Sequence, residues 1–248
     1  RIYPLGTVSN SKTILHNQAG YYPVIETDEH GFHNPKGLYL EDKVDIIITG
    51  DSFAEGYAVY SDQNISAHLR KNNFNVVSLG KGGNGPLLEL ATIKEYAEPI
   101  RPKIVLWFYF ANDLSNLTSE VQSSILMKYF NEDNFSQNLI RRQDEIDKTL
   151  MHYVNYKMKI EQEKQWQREK ISNQYFIKIF KLYNLREKLK LIPKAKHEKS
   201  NDPQPWKNEP INDMFVEILD KSNKMISKWN GKMYLVYLPA YGRYSEDF

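Results

Sequence analysis

Cysteine is missing from all 248 residues, which excludes disulfides, thiolate metal sites and a cysteine nucleophile. No apolar run reaches the roughly 18 residues that a membrane span requires. Charge of one sign is also lacking: 33 Lys and Arg stand against 31 Asp and Glu, a net +2. That balance argues against a nucleic-acid partner held by the whole surface. Glycine vanishes from Leu117 to Lys199, while Lys, Gln, Glu and Asn rise among spaced apolar residues. The first residue is Arg1 rather than Met, so the expectation is a longer protein whose signal or anchor lies upstream.

What is present is organised around residues 45–56, Asp-Ile-Ile-Ile-Thr-Gly-Asp-Ser-Phe-Ala-Glu-Gly. The β-branched run from Val44 to Thr49 reads as a strand buried on both faces, hence part of a parallel sheet. It stops at Gly50, and Asp51 and Ser52 follow where ligands bind in open α/β sheets, beyond the carboxyl ends of the strands. Taken alone, Asp51-Ser52 reads first as a turn that caps the next helix; two later strand ends with polar or glycine residues shift the reading.

The rest of the chain repeats the pattern. Residues 1–40 form a loop-rich lead-in. Its Asp28-Glu29-His30-Gly31-Phe32-His33-Asn34-Pro35 segment reads as a turn with packed rings rather than a metal site, because no third ligand stands at helical spacing. Asp62–Lys71 predicts a helix capped by Ser61 or Asp62. Asn75–Leu79 predicts a second strand, running into Gly80-Lys81-Gly82-Gly83-Asn84-Gly85-Pro86. Leu87–Ala97 predicts a helix. Ile104–Phe110 predicts the third strand, ending in Ala111-Asn112-Asp113. Alternation of strand and helix implies right-handed crossovers and a parallel sheet. A helical insertion follows, closed by the proline-rich Asn201–Trp206. A helix from Ile211 to Trp229, ended by Gly231, and a fourth strand, Met233–Leu238, complete the reading. The domain boundaries are 1–116 for the lead-in and the first part of the α/β domain, 117–205 for the insertion, and 206–248 for the continuation.

Three strand ends thus offer Ser52, Gly82 with Gly83, and Asn112. Acyl transfer needs such a set: a hydroxyl to attack a carbonyl, and donors aimed at the oxygen that becomes negative. Glycine lets a backbone N–H approach closely, and an Asn amide adds a donor.

At these residues the chain resembles the SGNH/GDSL hydrolases. Gly50-Asp51-Ser52-Phe53-Ala54-Glu55-Gly56 is similar to their first block, Gly83 falls at their second-block glycine, and Asn112-Asp113 at their third block. Asp28, Gly31-Phe32 and Asn34 resemble a segment found before the first block in bacterial members. The resemblance implies a three-layer α/β/α, flavodoxin-like fold acting on esters. It implies Ser52 as nucleophile and an oxyanion hole of the Ser52 and Gly83 N–H groups with the Asn112 side chain, supported by Asp51, Asn84 and Asp113. It implies no cofactor or metal, and a small-molecule or carbohydrate ester as substrate for an esterase or O-acyl transferase. A cell-envelope or periplasmic setting is the matching expectation.

Two positions depart from the family pattern. Phe110 stands where the third block opens with glycine, and no Asp lies three residues before any of the six histidines. The family's Asp-x-x-His pair is therefore expected beyond residue 248, with a fifth strand and a closing helix. His30 and His33 are the histidines that a folded lead-in would bring to the sheet's carboxyl edge.

Gly80-x-Gly82-x-x-Gly85 matches the dinucleotide fingerprint but sits on the second strand, with Pro86 directly after it. The α/β-hydrolase elbow needs a glycine where Ala54 stands. A non-enzymatic binding protein would use the insertion. Its residues 178–199 carry eight Lys or Arg against two Glu, so a basic amphipathic helix over 176–199 is expected to touch an anionic membrane surface or to solvate its lysines while packing its apolar side. No nucleic-acid motif is present.

Overall fold

A computed structural model describes residues 2–15, 20–40, 44–173 and 209–240. The strands, in chain order, are β1 (Lys12–Ile14), β2 (Val24–Glu26), β3 (Ile46–Thr49), β4 (Val76–Ser78), β5 (Ile104–Tyr109) and β6 (Lys232–Tyr237). The helices are α1 (Ser52–Glu55), α2 (Ile65–Lys71), α3 (Pro86–Thr92), α4 (Glu98–Ile100), α5 (Asp113–Glu120), α6 (Ser124–Asn131), α7 (Gln143–Asn173) and α8 (Glu209–Ser227). β1 and β2 form an antiparallel pair in the lead-in, where the sequence predicts only loop.

The main sheet has four parallel strands in the order β4-β3-β5-β6. Counted along the chain, that is second, first, third, fourth, the order of a flavodoxin-like doubly wound sheet, with its switch point between β3 and β5. All four residues of β3 are buried, as its central position demands. Alternation splits its neighbours between two cores. Ile47, Val77, Val105 and Trp107 face α3, α5, α6 and α8. Ile46, Ile48, Val76 and Phe108 face the opposite way, toward Ala54 of α1 and Leu69 of α2. Helices on both faces make the arrangement compatible with a three-layer α/β/α fold.

Several expected boundaries move. α2 starts at Ile65, because the Asn64 side chain accepts from Ala67 N (2.8 Å) and takes the cap expected of Ser61 or Asp62. The Leu87–Ala97 helix starts at Pro86 and passes through a π turn, Ile93–Ala97, into α4. α8 ends at Ser227, and the left-handed residue after it is Asn230 (φ 61°) rather than Gly231. At Gly231 a Cβ would lie 2.6 Å from Trp229 Nε1, so that glycine serves close packing.

Two compact units divide the chain: Arg1–Leu150 with Gln204–Phe248, and Met151–Pro203. The first unit therefore extends past residue 116. Leu117, Leu126, Tyr129, Leu139 and Ile146 all belong to the larger core. Buried Glu95 on the π turn fastens the same stretch, accepting from Tyr129 Oη (2.6 Å) and Leu139 N (2.7 Å). Of the second unit, the described part is α7 from Met151 onward. It presents Tyr153, Tyr156, Met158 and Trp166 to solvent.

Both edges of the sheet are instructive. At β4 the Asn34 amide pairs with Ser78 as a neighbouring strand would. It donates to Ser78 O (2.8 Å) and accepts from Ser78 N (2.9 Å). Arg70 Nε donates to Val76 O (2.8 Å) on the same strand. Side chains thus occupy an edge that would otherwise invite pairing with another chain. At the other edge, β6 exposes Tyr234 and Leu235.

Candidate active site

The carboxyl end of β3 turns at Gly50. With φ 150°, and with a hypothetical Cβ 2.9 Å from Ala54 Cβ and 3.0 Å from Phe108 Cβ, no side chain fits there. The turn delivers Asp51 as cap of α1, its Oδ1 accepting from Phe53 N (2.9 Å). Ser52 follows as the first residue of α1. Its side chain is partly exposed, and its hydroxyl makes no hydrogen bond among the described residues. Gly56, left-handed at φ 74°, ends the single turn.

The loop after β4 comes against this turn. Lys81 N donates to Gly50 O (3.2 Å), and Gly82 N donates to Glu55 Oε2 (2.6 Å). A Cβ on Gly82 would lie 3.1 Å from that carboxylate oxygen and 3.7 Å from Ser52 Cβ. Gly83 follows in the left-handed region (φ 86°), exposed, with nothing within 4 Å of a would-be Cβ. Its requirement for glycine is conformational, not steric. From α5, Asn116 Nδ2 donates to Asn84 O (3.1 Å), while Glu120 accepts from Gly85 N (2.7 Å) and Leu87 N (2.9 Å). The Glu120 carboxylate thus sits at the start of α3, where the dinucleotide reading would need a pyrophosphate.

The end of β5 supplies Asn112. Its Nδ2 donates to Asp51 Oδ2 (3.2 Å), across 61 positions of sequence. One amide hydrogen is so used; an Asn amide carries a second. Asp113 is buried, its Oδ2 accepting from Phe110 N (2.9 Å). Burial, then the charges of Asp51 and Glu120, push its pKa up to about 7. Glu120 also rises to about 7 by burial, against the pull of the backbone N–H groups it binds. Glu89, fully buried with neither oxygen hydrogen-bonded, is raised well above the carboxylate range by burial and by Asp113, Glu120 and Asp51. Asn84 Nδ2, Asn112 Oδ1 and Asp113 Oδ1 are likewise buried without partners among the described residues.

The structure therefore joins Asn112 to Asp51, the residue before Ser52, and seats Gly82 beside Ser52 with Gly83 next to it. Asn84 and Asp113 lie beneath this edge. His30 and His33 do not reach it. His30 packs against the rings of Tyr39 and Tyr96, and both nitrogens of His33 are engaged by Glu55 O and Ser61 Oγ. The Asp28 turn is fixed instead by Asp28 itself: Oδ1 accepts from His30 N (2.8 Å) and Phe32 N (2.9 Å), and Oδ2 from Asn34 Nδ2 (2.7 Å). Glu55, Glu89 and Glu120 were not legible as site residues. A glutamate in an amphipathic helix reads as solvent-facing, and nothing local ties Glu120 to a loop 35 positions upstream. Among the described residues no group of three His, Asp or Glu has the geometry to hold a metal ion. The basic segment 176–199 lies outside the described residues. Comparison with protein-family models, curated proteins and solved structures finds no match.

Proposed function

We propose that this chain carries the nucleophile and oxyanion donors of an SGNH/GDSL-type serine hydrolase or acyl transferase acting on ester bonds. The observation that carries the reading is the bond from Asn112 Nδ2 to Asp51 Oδ2. It ties the end of β5 to the residue before Ser52, at the switch point where an open α/β sheet binds its ligand. Ser52 Oγ attacks the acyl carbon. The carbonyl oxygen, becoming negative, receives the Ser52 and Gly83 N–H groups and the free hydrogen of the Asn112 amide. Asp51 aims that amide and caps α1. Asn84 and Asp113 support the loop and strand end from below. Such preorganised donors contribute roughly 3 kcal/mol each to the transition state.

A serine hydroxyl is weak without a base, and among the described residues no histidine bonds to Ser52. Turnover by these residues alone is therefore expected to be slow, sustained by oxyanion donors and binding. A carbohydrate O-acyl ester is the substrate class suggested by the bacterial resemblance, a fold-level analogy. The test is a fluorophosphonate adduct mapped by mass spectrometry to the Ser52 peptide and lost in Ser52→Ala. A folded protein that leaves the Ser52 peptide unmodified rejects the reading.

A further inference from the structure

A second serine meets a histidine away from Ser52. Ser61 Oγ lies 2.8 Å from His33 Nε2, and His33 Nδ1 lies 2.9 Å from the main-chain oxygen of Glu55. A carbonyl oxygen only accepts, so Nδ1 carries the hydrogen. In neutral imidazole the other nitrogen is then an acceptor, and the Ser61 hydroxyl donates to it. The ring is buried while Ser61 is exposed. Burial, and less so the nearby Arg70 guanidinium, hold the His33 pKa below its ordinary value, although the bond to Glu55 O opposes this. The neutral, proton-accepting form is thereby favoured. Nucleophile, base and orienting acceptor stand in the relation that activates a serine, with a peptide carbonyl in the third role.

His33 and Ser61 line a cavity of ≈350 Å³ together with Arg70 and Lys36. Two guanidinium nitrogens of Arg70 are held by Val76 O and Asn34 Oδ1, which fixes the plane of a group that has further N–H donors. Glu26, the carboxylate on the same wall, is paired with Lys12 at 2.6 Å. Lys36 also interacts with Glu26, and buried Asp28 with Arg70, so among the residues lining the cavity the two cations Lys36 and Arg70 outnumber the one carboxylate, Glu26.

We propose that Ser61 and His33 are a second nucleophile–base pair, specific for carboxylic esters that carry an anionic group held by Arg70 and Lys36. Ser61 Oγ attacks the acyl carbon and its proton passes to His33 Nε2. The tetrahedral intermediate expels the alcohol, which takes that proton. Water, deprotonated by the same nitrogen, then attacks the acyl carbon; the bond to Ser61 breaks, Ser61 Oγ takes the proton back from His33 Nε2, and the carboxylic acid is released. The inference is independent of Ser52.

The chain is treated with a fluorophosphonate, digested, and the adducts located by mass spectrometry. The Ser61 peptide is expected to be modified in the parent protein and in Ser52→Ala, and unmodified in Ser61→Ala, a surface change. In His33→Gln its labelling rate should fall roughly tenfold or more. Because His33 is buried and its replacement perturbs packing as well as chemistry, labelling of the parent protein is also followed against pH. The rate should be flat near pH 7 and fall below the ordinary imidazole pKa of about 6.5. In steady state, p-nitrophenyl hemisuccinate should be preferred over p-nitrophenyl acetate, and Lys36→Gln should reduce that preference. Modification of Ser52 alone overturns this proposal while supporting the hydrolase reading; modification of Ser61 alone does the reverse. A Ser61 labelling rate indifferent to pH between 5 and 8 on the imidazole scale also overturns it.

Discussion

The Asp28–Asn34 turn and the carboxyl edge of the sheet are both polar, buried and punctuated by glycine, but their central side chains end differently. Asp28 and Asn34 are fully bonded, although Glu29 Oε1 and His30 Nδ1 beside them find no partner among the described residues. Both Asp28 oxygens are bonded, to two backbone N–H groups and to Asn34. Asn34 in turn holds Ser78 at both its N–H and its C=O, and accepts from Arg70 Nη2 at 2.6 Å. At the carboxyl edge, Asn84 Nδ2, Asn112 Oδ1, Asp113 Oδ1 and both Glu89 oxygens have no partner among the described residues, nor does the Ser52 hydroxyl. Buried polar groups are nearly always satisfied in folded proteins. A closed network marks a residue whose role is to hold the chain, and a cluster of open ones marks a place kept for something else.

The comparison breaks most easily at Asn34. Asn34→Ala removes four hydrogen bonds and leaves Asp28, Ser78 and Arg70 with buried groups unmet. A loss of roughly 3–5 kcal/mol is expected, read as a fall in the urea midpoint at unchanged slope. A midpoint close to the parent's would show that the closed network is not what holds the lead-in to β4.

The carboxyl edge should answer to pH instead. Asp113 and Glu120 are raised to about 7, and Asp28 to about 6, all led by burial. In the unfolded chain such groups ionise near pH 4. Between these limits the unfolded state loses protons that the fold retains, so stability falls as pH rises from about 4 to about 7 and is level above. His30 and His33, lowered by burial, act in the opposite sense below about 6.5. Asp113→Asn isolates the Asp113 contribution: its amide oxygen can take the place of Oδ2 and accept from Phe110 N, and its neutral amide does not titrate. Melting temperatures at pH 5 and pH 8 should draw closer in this variant, the remaining slope belonging to Glu120 and Asp28, with a gain over the parent at pH 8 of up to a few kcal/mol. An unchanged pH slope would mean that Asp113 ionises freely in the fold.

A glycine pair sharpens the contrast between packing and presentation. At Gly80 a Cβ would lie 2.4 Å from Ala54 Cβ and 2.5 Å from backbone, so Gly80→Ala should cost about 1–3 kcal/mol by overpacking. At Gly83 there is open space and only the left-handed φ resists, so Gly83→Ala should cost about 1 kcal/mol yet turn the N–H away from Ser52. Chemical denaturation ranks the two for stability, and fluorophosphonate labelling of Ser52 should rank them differently.

Much of this frame was legible because it is written in apolar runs. Ile46–Thr49, Val76–Ser78 and Ile104–Tyr109 each begin directly after a polar residue, Asp45, Asn75 and Lys103, and burial on both faces leaves no competing period. The β1–β2 hairpin was not legible: Lys12–Ile14 and Val24–Glu26 are too short to show alternation, and Ile14 lies exposed. The stretch from Leu117 to Ile146 was set apart by composition, since glycine disappears there. Its Leu117, Leu126, Leu139 and Ile146 are nevertheless wholly or almost wholly buried in the main core. Ser52, Gly83 and Asn112 stood out as strand-end residues. The carboxylates beneath them did not, because a buried glutamate differs from a solvated one only in its three-dimensional surroundings.

The smallest stability effect carries the most about function. Asn112→Ala deletes one partly buried bond to Asp51, at 3.2 Å, and it also deletes an Oδ1 that has no partner. The lost bond and the lost unmet acceptor nearly offset, so stability should change by no more than about 1 kcal/mol. Asn112 makes no capping bond at the start of α5 either, so that helix should keep its place. A residue so weakly tied into the fold has no structural reason to be an asparagine. If its amide serves a developing oxyanion, ester turnover or phosphonylation of Ser52 should fall by roughly 10²-fold while the urea midpoint stays put. Asn112→Asp tests the sign of the charge, because a carboxylate there would oppose both Asp51 and an oxyanion. It should be less stable than Asn112→Ala at pH 8 and recover as the pH drops toward 4. Equal labelling of Ser52 in parent and Asn112→Ala would remove Asn112 from the site and leave its bond to Asp51 as a cross-strand tie.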